Sequence, residues 1–113
     1  MIYALDTNTV IDYLKGRSGT LLGRIRRQRP DDIKVPALVR AELMLGALKS
    51  RRPEENRAKV EDFLLPFELL AFGQIATDHY AHARLQIERA GTPIGPNDLV
   101  IAATVLAASA TLV

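Results

Sequence analysis

The chain has no cysteine and no tryptophan among its 113 residues, and only three tyrosines and three phenylalanines. Without cysteine there is no disulfide and no thiolate metal site, which fits a reducing cytoplasm. No apolar run approaches the roughly 20 residues of a membrane span. The N-terminus lacks the basic flank and cleavage site of a secretory signal. A strong excess of one charge is missing too. Fifteen Lys+Arg against thirteen Asp+Glu leave +2, too little to argue for nucleic acid without clustering. Tyr3, Tyr13 and Tyr80 are too scattered for the base stacking of single-strand binders. What is there is an ordinary globular composition, 48% hydrophobic, without repeats, at a length that suits one domain.

Ile2-Tyr3-Ala4-Leu5 is a short apolar run that meets Asp6, Thr7 and Asn8, after which helical periodicity begins at Val10. The pattern predicts a buried parallel strand feeding a helix that Gly16 ends. Asp6 then stands at the strand's carboxyl end, where α/β sheets place their ligand crevice. Ser18 is positioned to cap a second helix, with Leu21, Leu22 and Ile25 on its buried side and a basic end of Arg24, Arg26, Arg27 and Arg29 before Pro30. Ile33-Lys34-Val35 follows as a strand, and Pro36 opens a helix to about Leu48.

Pro53, with Glu54 and Glu55, starts the next helix, and Phe67-Glu68-Leu69-Leu70 reads as a strand. Ala76, Tyr80, Ala83, Ile87 and Ala90 mark the apolar stripe of a helix over 75–90. A loop over 91–96 leads to a helix over 99–108 that is apolar almost all round, so the core should enclose it. Thr111-Leu112-Val113 begins a last strand. Strands alternating with helices predict an α/β fold with helices on both faces of a parallel sheet. The final apolar strand has nothing after it to leave the sheet, so a further C-terminal piece is expected to belong to the domain.

Three acids stand out. Besides Asp6, Glu42 has Leu38, Val39, Leu45 and Gly46 as helical neighbours, an apolar setting for a carboxylate unless Arg40 or Lys49 pairs with it. Asp98 enters the most apolar helix behind Pro96-Asn97, where macrodipole compensation alone accounts for an isolated acid. In a doubly wound sheet, helix N-termini lie on the same side as strand carboxyl ends, so all three are able to share one crevice. Converging carboxylates without Lys or Arg nearby repel one another, and a divalent cation removes the conflict. Ligation by oxygen alone suits Mg²⁺ or Mn²⁺, which activate water and clamp phosphodiester oxygens.

Leu5-Asp6-Thr7-Asn8, then Arg40-Ala41-Glu42-Leu43 with Gly46 one turn on, then Ile94-Gly95-Pro96-Asn97-Asp98-Leu99-Val100-Ile101-Ala102-Ala103 resemble, in order and spacing, the PIN domain. More closely they resemble the VapC toxins of type II toxin–antitoxin modules, over essentially the whole chain. The resemblance implies a PIN-like three-layer α/β/α sandwich over 1–113 with a central parallel sheet of four or five strands. It also implies a Mg²⁺- or Mn²⁺-dependent endoribonuclease that cleaves structured RNA, often tRNA, and halts translation. By position, Asp6, Glu42 and Asp98 take the acidic metal-binding roles, Thr7 or Asn8 the polar place beside the first acid, and Asn97 a frequent neighbour of the third. A homodimer is implied, with a cognate VapB antitoxin whose tail occupies the active-site groove. The family's further polar or acidic position, just after the strand that begins at Thr111, falls beyond Val113.

Other candidates are weaker. His79 and His82 have a metal-compatible spacing but no third ligand, and read as surface residues. Arg24, Arg26, Arg27 and Arg29 either track RNA phosphates or form a solvated helix end. An aspartyl-nucleophile phosphatase needs a second acid two residues past Asp6, where Asn8 stands. A non-catalytic PIN-like interaction module is the alternative from a different class, but it gives no reason to gather carboxylates in a crevice.

Overall fold

The structure, a computed structural model, describes residues 1–17, 19, 23 and 26–113. β1 (Tyr3–Ala4) leads through Leu5 and Asp6 into α1 (Thr7–Leu14). A 3-10 turn, Pro30–Asp32, delivers the chain to β2 (Ile33–Pro36), and α2 (Ala37–Lys49) follows at once. Ser50-Arg51-Arg52 joins it to α3 (Pro53–Leu64). Then come β3 (Glu68–Leu70), α4 (Gln74–Ala90), α5 (Pro96–Ala107) and β4 (Thr111–Leu112). Of the second expected helix, Ser18, Leu21, Leu22, Arg24 and Ile25 lie outside the described residues, while Gly23 and Arg26 are helical.

The four strands are all parallel, in the order β3-β2-β1-β4. Tyr3 registers with Ile33 on one side and Thr111 on the other, so β1 lies between β2 and β4. The chain steps outward from β1 to β3, then returns to the far side of β1 to lay down β4. That reversal puts the topological switch point at the carboxyl ends of β1 and β4, where doubly wound sheets open their crevice. Asp6 stands there.

The inner strands β1 and β2 read as near-continuous apolar runs because helices cover them, whereas β3 and β4 are largely exposed. Ala4, Leu5 and Val35 are buried and join Val10, Val39, Val60 and Ile101 in one core. Lys34 is the exception within β2. Its Nζ lies 2.7 Å from the Glu68 carboxylate, at the matching register position of β3. α1 packs on α2 and α2 on α3, while α4 pairs with α5, which also reaches β2, β4 and α2. The result is the three-layer α/β/α arrangement.

Three boundaries differ from the sequence reading. Pro36 closes β2 and caps α2 instead of opening it. α5 starts at Pro96, three residues before the expected Leu99, because proline fits the first helical position. Nor is α5 enclosed all round: Leu99, Ile101 and Val105 are buried, but Leu106 is 57% exposed. Among the described residues no helix is long and apolar enough to cross a membrane.

Candidate active site

Asp6 is the N-cap of α1, in extended backbone conformation. An aspartate there ordinarily accepts hydrogen bonds from the helix's own free N–H groups, worth about 1 kcal/mol. Its carboxylate makes no such bond, although it is half-buried. The backbone around it is held from two sides: Leu5 N–H donates to the Lys34 carbonyl at 3.0 Å, and Asp6 N–H donates to the Val113 carbonyl at 2.8 Å. A fixed backbone and an unengaged carboxylate are what a ligand-binding acid requires.

Glu42 comes to this edge through Thr7. The Thr7 hydroxyl donates to Glu42 Oε1 at 3.1 Å, between residues 35 apart in the chain. Glu42 is half-buried on α2, between Val39 and Leu43, which are both buried. Arg40, the suggested partner, lies instead 3.9 Å from Glu61, which also accepts from Arg57 at 3.0 Å. Among the described residues no Lys or Arg forms an ion pair with Asp6, Glu42 or Asp98. Lys15 and Lys59 line the cavity beside Glu42 without forming an ion pair with it.

Asp98 lies in the first turn of α5, which touches the helix that carries Glu42. Its carboxylate is exposed, with Oδ2 folded back to 3.8 Å from where a Cβ on Gly95 would stand. Asn97 beside it and Asn8 on α1 are both exposed. Thus the structure joins the neighbour of Asp6 to Glu42, and brings the helices of Glu42 and Asp98 together. It records no contact between the Asp98 carboxylate and the other two. Among the described residues no group of three or more His, Asp or Glu side chains is close enough to hold a metal ion as they stand. The donor chemistry, carboxylates with a hydroxyl and no ion-paired cation, suits a hard divalent ion; the side-chain orientations do not close a cage around one.

The other predicted residues separate clearly. Arg26 stacks its guanidinium over the Tyr13 ring at 5.0 Å, Arg29 lies 3.8 Å from Asp31, and Arg27 is exposed. Arg24 lies outside the described residues. His79 and His82 are exposed on α4, and His82 Nδ1 is engaged with the Asp78 carbonyl at 2.9 Å. On the same helix a hydrogen bond to Glu88, with a second to Tyr80, holds the Arg84 guanidinium above its ordinary pKa. Sequence reasoning missed Thr9, whose hydroxyl donates to the Val113 carbonyl at 3.0 Å. A threonine in a first helical turn carries no signal of a bond 104 residues away.

Comparison with known proteins agrees with this layout. The PIN domain family matches residues 3–113. Ribonuclease VapC2 of Rickettsia felis is 34% identical over 114 aligned residues, covering 100% of this chain and 85% of that protein. The tRNA(fMet)-specific endonuclease VapC of Salmonella typhimurium is 35% identical over 100 residues, covering 88% and 75% respectively. Among solved structures, VapBC2 from Rickettsia felis bound to a promoter DNA fragment superposes with a TM-score of 0.88 at 32% identity, covering 99% of this chain and 85% of that one. FitAcB from Neisseria gonorrhoeae, at 24% identity and a TM-score of 0.84, shares the fold.

Proposed function

This chain belongs to the PIN-domain family, and from that premise we propose that it is an endoribonuclease that hydrolyses phosphodiester bonds in structured RNA, tRNA included. The observation that carries the reading is Asp6: an N-cap carboxylate at the switch point of the sheet that does not cap its own helix. Asp6, Glu42 and Asp98 are the residues assigned to bind Mg²⁺ or Mn²⁺. When bound, such an ion neutralises the gathered charge and polarises the phosphoryl oxygens. Asp6 also supplies an acceptor for the proton of an attacking water. Thr7 orients the Glu42 carboxylate, while Asn8 and Asn97 offer polar groups at the rim. Arg26, Arg27 and Arg29, and with them Arg24, are assigned to the RNA backbone, where a cation contributes affinity without sequence preference. The relatives solved as VapBC complexes support a cognate antitoxin as partner of this chain, which acts as the toxin of the pair; the homodimer rests on the family resemblance alone.

A non-catalytic interaction module is the competing reading, favoured by one observation, the absence of a closed three-acid group among the described residues. The deciding experiment is sequencing of RNA ends after pulsed expression of wild type and of Asp6→Asn. New 5′ ends at a few positions in structured RNA, present with wild type and gone with Asp6→Asn, are the expected result. Identical end profiles for the two proteins would leave the interaction module standing.

A further inference from the structure

We propose that Thr9 is a positioning residue for the acidic edge, acting through the Val113 carbonyl; the catalytic part of this role rests on the hydrolytic reading above. The first turn of α1 is where three separate parts of the chain meet Asp6. β2 holds Leu5 through Lys34, α2 meets Thr7 through Glu42, and the end of β4 meets both Asp6 and Thr9. That last contact is a pair of bonds on a single oxygen. The Val113 carbonyl accepts from Asp6 N–H at 2.8 Å and from Thr9 Oγ1 at 3.0 Å.

Thr9 departs here from what a helical threonine ordinarily does. Threonine hydroxyls in helices tend to bond back to the carbonyl four residues earlier. Thr104 on α5 does so, donating to Val100 at 2.8 Å. Thr9 sits in the first turn and reaches out of its helix to another strand instead. β4 pairs in parallel with β1, Thr111 N–H bonding to Ile2 and Val113 N–H to Ala4, each at 2.8 Å. The Thr9 hydroxyl adds a side-chain bond to the same carbonyl that holds the Asp6 amide. Through that carbonyl it fixes the backbone on which the Asp6 carboxylate is carried.

The test compares wild type with Thr9→Val, Thr9→Ala and Thr9→Ser, well below every melting midpoint. Amide hydrogen exchange without metal gives a readout independent of activity. In Thr9→Val and Thr9→Ala the Asp6 amide is expected to lose protection by about tenfold while amides in α3 and α4 keep theirs. RNA cleavage is expected to fall about tenfold in kcat with KM little changed, as for a displaced but intact reacting group. Thr9→Ser, which keeps the hydroxyl, restores both. Unchanged Asp6 protection in Thr9→Val and Thr9→Ala would overturn the proposal, and so would a Thr9→Ser variant as impaired as Thr9→Val. Wild type that cleaves no RNA would remove the catalytic reading alone, and exchange at Asp6 would still decide whether Thr9 holds the edge.

Discussion

A carboxylate that accepts no hydrogen bond from its own helix is available to something else, and this defines Asp6. Glu42 differs in having one partner, the Thr7 hydroxyl at 3.1 Å. The two substitutions at that contact separate charge from orientation. Glu42→Gln keeps the volume and removes the charge, and is expected to lower RNA cleavage about 10²-fold or more with an unchanged or higher melting temperature. Thr7→Val keeps the shape and removes the donor. It is expected to lose about 1 kcal/mol of stability and a smaller share of activity, because Glu42 keeps its charge. Cleavage rates alongside urea unfolding distinguish the two; equal losses of activity would mean that Thr7 does more than orient Glu42. Asp6 and Glu42 were legible in the sequence because each interrupts an apolar pattern. The bond between Thr7 and Glu42 was not, since a contact across 35 residues depends on how two helices approach and leaves no trace in local spacing.

At the level of elements, turn chemistry made most boundaries readable. Pro53 opens α3, and Gly16 and Gly91 close α1 and α4 in the left-handed region, at φ of 73° and 69°. Gly91 offers a clean measurement. A Cβ added there meets nothing within 4 Å, so alanine has room and only the backbone conformation resists it. Gly91→Ala is expected to destabilise the protein by about 1 kcal/mol, read as a shift in the urea midpoint with RNA cleavage unchanged. A larger loss would mean that the 91–95 loop carries tertiary contacts beyond its cap. Strand limits were harder to read. β1 is two residues long, too short for local propensity to fix its ends, and pairing with β2 and β4 sets them. The Lys34–Glu68 pair shows the same dependence: a charge within an apolar strand that only the register with β3 explains.

For the whole molecule, the strand order is what gathers distant residues. With β1 flanked by β2 and β4, Asp6 at residue 6, Glu42 on the helix after β2, and Asp98 on the helix before β4 all belong to elements that adjoin the switch point. On the proposed assignment, turning the three carboxylates toward one another costs stability through mutual repulsion, and a bound divalent ion reverses that cost. Binding to the folded state alone adds RT ln(1 + [L]/Kd), about 1.4 kcal/mol at ten times Kd. A Mn²⁺ titration is therefore expected to raise the melting temperature of wild type by several degrees and saturate. The side chains do not close a three-acid group as they stand, so this gain requires their carboxylates to turn toward one another on a backbone that stays in place. Asp6→Asn and Asp98→Asn each remove a donor, and both are expected to start at or above the wild-type melting temperature without metal and to respond weakly to Mn²⁺. The pair of curves divides the site: Asp98→Asn titrating like wild type while Asp6→Asn does not would take Asp98 out of the ion's shell and leave it as a first-turn acid that meets the dipole of α5. A wild type that does not respond at all would mean that the three acids do not act together.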